Sequence, residues 1–403
     1  MIQREADGVT PNGVLEENAM AAMLAAVPPP SPERALEMLK VGARKYAEAG
    51  ITTAQDGAAV PAFTALLKAA EAKGLLPIDV VTYAFYKANK LSVVDDVAAE
   101  KGERDRMRLG GIKLVVDGSI QGFTAYLSKP YFTPPPGENA VKDEPNMSTA
   151  GPGLILGAEY AGLPPFSSHE QAPAKTDYRG YPSMTQEEIE AWIARADAAG
   201  VQVIAHVNGD AAADMIIEAV RKVRGETPRP ELRTVIIHGQ TMREDQLDAA
   251  KKLGLIPSFF PIHVAFWGDR HKALFLGPER AARIDPAKSA HDRGMRFTLH
   301  HDAPIAGIDM LAVMSAAVNR ETTGGEILGP DQRISVRNAL RAVTIDAAWQ
   351  YFEEERKGSL EVGKLADMVV LSANPLEVDP GALKDIKVLE TIKEGMTVFK
   401  TGG

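Results

Sequence analysis

The stretch Val201–Asp210, VQVIAHVNGD, constrains the fold more than any other part of the chain. Gly200 ends the helical pattern before it, Val201 to Ala205 read as a short buried strand, and that strand delivers His206, with Asp210 opening the next helix. The arrangement recurs in Arg233–Gln240, RTVIIHGQ, where His238 stands at the strand end, and in Arg296–Pro304, RFTLHHDAP, which ends on Asp302. Repeated helix–Gly–strand units predict consecutive parallel strands joined by right-handed crossovers. Such strands close into a barrel whose loops converge on the carboxyl-terminal rim, where catalytic groups collect. His, His and Asp at three strand ends are therefore a candidate metal site.

The 403 residues accommodate one barrel with insertions and a smaller appendage. No cysteine is present, so thiolate ligands are excluded and a metal must be held by imidazole and oxygen. That donor set suits Zn²⁺, which keeps an open position for water in catalytic sites. The net charge of -9 argues against a nucleic-acid or anionic-membrane partner. The opening residues lack the basic, apolar and small-residue order of a secretory signal, and no apolar run is long enough for a membrane span. A cytoplasmic protein is the expectation.

Along the chain, Thr10-Pro11-Asn12-Gly13 reads as a turn and Val14–Ala26 as helix-like. A helix over 33–49, capped by Ser31, precedes a strand Ile51–Gln55; a helix over 60–73 precedes a strand Ile78–Phe85; a polar helix spans Asp95–Glu103. Gly110–Ser119, GGIKLVVDGS, is a strand carrying Lys113 among apolar neighbours. Residues 126–184 are rich in Pro and Gly and show no sustained period; they read either as a lid or as a flexible surface insertion. From Thr185 the rhythm is regular, with T-x-x-E capping boxes at Thr185/Glu188 and Thr241/Glu244. A helix is expected over 278–293 before the last barrel strand. The strands number seven rather than eight. Residues 1–356 thus form the barrel, and 357–403, with short β segments around turns, form a small β appendage.

Several residues have two readings each. Lys113 is either ion-paired inside the barrel, with Asp117 as partner, or a functional lysine. Asp210 either caps its helix or orients His206 from behind. His263, Asp269 and His271 follow the sixth of these seven strands and are either substrate contacts or exposed loop residues. Arg320 either meets an anionic substrate group or caps its own helix end, and His301, by strand alternation, points away from Asp302 as packing.

The phrases IKLVVDGSI, HVNGDAAAD, IIHGQ, SFFPIHVAFWGDRH, HHDAP, AVNRET and KGSLEVGKLADMVVL resemble the amidohydrolase superfamily, most closely its YtcJ-like (amidohydrolase 3) branch. The resemblance implies a (β/α)8 TIM-type barrel of the metal-dependent hydrolase kind with a small β-sandwich, acting on non-peptide C–N bonds of small amide-type molecules. It implies one or two divalent ions, zinc foremost, with His206 and His238 as ligands, Lys113 as a carboxylated bridging ligand and Asp302 as ligand and proton shuttle. It also implies an H-x-H pair on a first strand, which is absent here before Lys113. The expectation is a family member lacking its leading segment and half of its sandwich, possible as a homodimer. The rival expectation is a catalytically inactive truncated barrel, or a small-molecule binding protein that is not an enzyme.

Overall fold

The computed structural model describes residues 2–4, 10–15, 28–100, 106–135 and 176–402. Strands β1 (Ile2–Arg4) and β2 (Pro11–Leu15) pair antiparallel, so Val14 and Leu15 end a strand where a helix was expected; residues 16–27 of that stretch lie outside the described residues. Helix α1 (Pro32–Glu48) starts as expected, with Ser31 accepting from Arg34 N. Then follow β3 (Thr53–Ala59), α2 (Pro61–Ala72), β4 (Asp79–Phe85), α3 (Val93–Ala99) and β5 (Met107–Val115). The second half contains α4 (Gln186–Ala199), β6 (Gln202–Val207), α5 (Asp210–Arg224), β7 (Val235–His238), α6 (Glu244–Leu253), β8 (Ile256–Phe259) and α7 (Ile262–Arg270).

The chain continues through a π-helical turn at His271–Phe275 into two short helices, α8 (Gly277–Ala281) and α9 (Ala287–Asp292). A single helix over 278–293 was expected. Asp285, at φ 50, and Pro286 break it, because a left-handed residue followed by proline cannot continue an α-helix. Strand β9 (Thr298–Leu299), α10 (Met310–Asn319), α11 (Val336–Val343) and α12 (Ile345–Gln350) complete the α/β part.

Strands β3 to β9 form one parallel sheet in chain order, a curled half-barrel. Each crossover is built from local signals. In α4, Thr185 and Glu188 close the capping box, Ile189, Trp192, Ile193 and Ala196 are buried, and Gly200 ends the helix at φ 66. Burying each of the large side chains contributes about 1.5–3 kcal/mol. The expected second capping box is replaced. Thr241 donates its hydroxyl to Asn208 O, and Gln246 Oε1 accepts from Arg243 N instead.

Strand alternation divides the core in two. Val203, Ala205 and Val207 of β6 face the helices, whereas Ile204 joins Val81, Tyr83, Val235, Ile237 and Ile256 inside the sheet's curve. Trp349 and Tyr351 plug that inner cluster. Gln350 spans the curve's two edges: its Nε2 donates to Gln55 on β3 at 3.3 Å, and its Oε1 accepts from Thr298 on β9 at 2.7 Å. No strand among the described residues pairs with the outer edge of either.

The three-stranded antiparallel sheet of β10 (Met368–Leu371), β11 (Val388–Lys393) and β12 (Met396–Lys400) packs on α1. Among the described residues no helix is long and apolar enough to cross a membrane.

Candidate functional site

Five histidines, His206, His238, His263, His271 and His300, gather at the carboxyl ends of β6 to β9. His206 stands on the inner face of β6 by alternation with Ile204. On β7, Val235 and Ile237 face inward, so alternation would send His238 outward to the helices. Its backbone instead turns left-handed, at φ 69, and the ring is directed back towards His206. A non-glycine residue held there costs about 1–3 kcal/mol and persists only where its surroundings enforce it. His206 Nδ1 and His238 Nε2 end 3.1 Å apart.

A third imidazole extends the line. His300 Nε2 lies 3.2 Å from His238 Nδ1, and His300 Nδ1 lies 3.0 Å from Ser258 Oγ. His300 was not singled out from the sequence. The signal was available, since Thr298 and His300 share a face and Leu299 packs on the opposite, helix-facing side. His301 lies outside this line: its Nδ1 accepts from Ala303 N, and its ring stands 5.5 Å from that of Tyr46.

Lys113 is 7% exposed on the inner face of β5, beside Ile204 in register. Burial lowers its pKa to about 8, opposed by the Asp302 carboxylate. Asp302, itself left-handed at φ 52, has its pKa raised by burial, with Lys113 opposing. Burial likewise lowers His206 to about 3, helped by Lys113, and moves His238 and His300 well below the usual imidazole value. The site thus holds neutral imidazoles at physiological pH. Asp56 on β3, also unremarked in the sequence, has its pKa raised by burial, and its Oδ2 has no partner.

His263 is buried at the start of α7, with its ring 6.2 Å from that of His238. His271 lies behind it, Nε2 3.4 Å from His263 Nδ1 and 3.2 Å from Gln240 Nε2. Both are interior residues rather than exposed loop positions, and His271 Nδ1 and Gln240 Oε1 lack partners. Asp269 pins the loop 322–324, accepting from Thr322 Oγ1 at 2.7 Å and Gly324 N at 2.9 Å.

Asp210 departs from both of its readings, whereas Arg320 is the C-cap residue of α10, at φ 54, as one of its readings had it. Gly209, not Asp210, is the N-cap residue of α5. The Asp210 carboxylate accepts from Ser128 N and Oγ and from Arg243, so it ties the segment after β5 to α6 and leaves His206 to other partners. Those partners are Asn208 Nδ2 at 3.0 Å and Gly118 O at 3.4 Å. Arg320 is 1% exposed and spends its guanidinium on the carbonyls of Leu328, Ile284 and Asp285. A buried guanidinium satisfies its donors locally, because an unmade hydrogen bond costs more there than at the surface.

The described ends of the Pro/Gly-rich insertion pack on this same rim. Asp117 accepts from Tyr126 N, Asn208 N and Gly209 N, and a Cβ on Gly209 would meet Tyr126 O at 1.9 Å. Phe132 N and Thr133 N donate to the carbonyls of Phe275 and Leu274. The lid reading of the insertion's centre, 136–175, falls outside the described residues. A cavity of about 440 Å³ lies elsewhere, lined by Lys68, Glu71, Asp79, Arg106, Glu353 and Glu394 at the amino-terminal side of the sheet.

The amidohydrolase family (Amidohydro_3) matches residues 1–399. The chain is 27% identical over 226 residues to the N-substituted formamide deformylase of Arthrobacter pascens, covering 54% of this chain and 40% of that protein. It is 24% identical over 413 residues to a Bacillus subtilis (strain 168) protein named as amidohydrolase YtcJ, covering 99% and 68%. An uncharacterized metal-dependent hydrolase from Pyrococcus furiosus shares the fold, with a TM-score of 0.68 at 23% identity, over 90% of this chain and 65% of that one. The chain therefore spans less than half of the deformylase and about two thirds of the YtcJ protein.

Proposed function

This chain belongs to the amidohydrolase family, and from that premise we propose that it is a metal-dependent hydrolase of a non-peptide C–N bond in a small N-substituted amide. The observation that carries the reading is the approach of His206 Nδ1 to His238 Nε2, 3.1 Å, at neighbouring strand ends beside Lys113 and Asp302. Two nitrogens at about 2.0–2.1 Å from one tetrahedral ion stand about 3.3–3.4 Å apart, so the pair fits two corners of a zinc site. Among the described residues no three His, Asp or Glu side chains converge on one point. The pair supports two ligand positions of such a site, with Asp302 and Lys113 next to it.

A bound divalent ion, zinc for this donor set, supplies Lewis acidity and lowers the pKa of a water towards ~7. His206 and His238 would hold it. Asp302 takes a proton from the attacking water and returns it to the leaving nitrogen, which its raised pKa favours. Lys113, with a pKa of about 8, has a neutral-amine fraction able to add CO₂ and form the carbamate that the family resemblance implies. N-substituted formamides are the first substrates to try, on the name of the Arthrobacter relative.

The test is to load the purified chain with Zn²⁺, measure bound metal, and assay a panel of N-substituted formamides and N-acyl amines. Stoichiometric metal without turnover on any of them would sink the reading. Among the described residues, the unpaired outer edges of β3 and β9 and the lack of a third converging ligand favour a second reading, a binding protein without turnover. Calorimetric binding of a formamide that stays intact would support it.

A further inference from the structure

The segment after β8 carries two buried histidines that the hydrolase mechanism does not use. His263 is 3% exposed on the first turn of α7, with its ring 6.2 Å from that of His238 at 76°. Its Nδ1 is engaged by His271 Nε2 at 3.4 Å, and His271 Nε2 in turn lies 3.2 Å from Gln240 Nε2. His271 Nδ1 is sealed inside the protein. His263 Nε2 is not sealed, and it has no hydrogen-bond partner among the described residues. The two nitrogens of an imidazole point in different directions, so an anchor on Nδ1 turns Nε2 away from His271. The open nitrogen therefore belongs to a ring whose other flank is the histidine site.

The segment that carries this ring is fixed along its length. Ala265 O accepts from Thr323 N, and Asp269 accepts from Thr322 and Gly324. Trp267 packs on the His263 ring at 5.3 Å. At His271 the chain enters the π-helical turn, whose Leu274 and Phe275 carbonyls accept from Thr133 N and Phe132 N. Turns of this kind recur at functional sites. A ring anchored on one nitrogen, in a segment held at several places, presents its other nitrogen in one direction, as recognition requires. We propose that His263 Nε2 hydrogen-bonds the amide group of the substrate beside the His206–His238 pair, and that His271 is the positioning residue that aims it. The open nitrogen stands on the geometry of α7 alone, whereas the identity of its partner as an amide rests on the hydrolase reading above.

The experiment measures bound zinc, the calorimetric Kd for N-butylformamide, and kcat and KM where turnover occurs. It compares the full native chain with His263→Phe, His263→Gln, His271→Phe and the double variant to Phe. His263→Phe keeps a ring and deletes both nitrogens. It should hold as much zinc as the native chain and bind the formamide about tenfold more weakly, the worth of one hydrogen bond, with the loss in KM. His263→Gln, which carries a polar atom in the same direction, should recover most of the affinity. His271→Phe should lose about threefold, and the double variant should bind no more weakly than His263→Phe alone, because His271 acts through His263. Folded His263→Phe that binds the formamide as tightly as the native chain, or that loses its zinc, overturns the proposal. Additive losses in the double variant remove His271 from it. A formamide bound through His263 but never hydrolysed would refute the hydrolase reading and leave this contact standing. Turnover with an unchanged KM in His263→Phe would do the reverse, and no formamide binding to the native chain would refute both.

Discussion

Two buried lysines at opposite ends of the parallel sheet have opposite fates. Lys393, 0% exposed at the amino-terminal side, lies 2.9 Å from Asp79, 2.8 Å from Asp367 and 3.3 Å from Glu394. Burial pulls its pKa down, but the hydrogen bond it donates to Asp367 and the charge of Asp79 more than offset this, and the net shift is upward. Lys113, at the other end, has burial acting against it and Asp302 as its counter-charge, and it falls to about 8. A paired lysine in a network fixes structure. A desolvated one is primed to lose its proton, which is useful only for chemistry. The amino-terminal network also joins the small sheet to the barrel, since Lys393 on β11 pairs with Asp79 on β4, which Lys357 holds from the other side.

The largest expected effect falls on the histidine end. Asp302→Asn should retain the fold and metal binding but cut turnover of an accepted substrate by about 10²–10⁴-fold, the worth of a positioned acid–base group. Turnover equal to wild type at equal metal content would assign the proton to another group.

Next comes the lysine contrast itself. Lys393→Met leaves the buried Asp367 carboxylate without its ammonium partner and takes one of three cations from Asp79, and should cost about 3–5 kcal/mol in urea unfolding. Lys113→Met, close in volume and leaving one carboxyl that can protonate, should cost less than about 1.5 kcal/mol. Similar losses in the two variants would break the comparison.

The pH dependence sharpens it. A lysine at about 8 in the folded chain, against 10.5 unfolded, makes the unfolded state bind more protons between those values. Stability should therefore rise with pH across that window, by about 3 kcal/mol for a group this buried, and the rise should vanish in Lys113→Met. Lys393, shifted upward, has the reverse sign: its contribution is full below the unfolded value and fades as pH passes the folded one.

The smallest effect belongs to a pair outside both ends. Lys288 and Asp292, exposed on α9 at i,i+4, should contribute no more than about 0.5 kcal/mol, measured as the change in Lys288→Ala.

The sequence was most legible where neighbours along the chain set the answer. The Thr185/Glu188 box, the Gly200 stop and the apolar period of α4 needed no other part of the molecule to be read. It was less legible where a distant group won a competition. Thr241 gave its hydroxyl to Asn208, so the capping box shifted to Arg243 and Gln246. Asp210 was drawn to Ser128 and Arg243, which the reading along the chain could not bring beside it.

By itself, then, the chain determined a run of parallel βα units, the small closing sheet, and strand ends that carry His206, His238 and Asp302, because propensity, capping and alternation act over a few residues. Tertiary structure decided which way those side chains point. His238 departs from its strand's alternation through a left-handed backbone, and His300 enters the line only because β8 presents Ser258 beside it. The physical reason is that buried polar groups must find partners, and on a barrel rim those partners come from other strands.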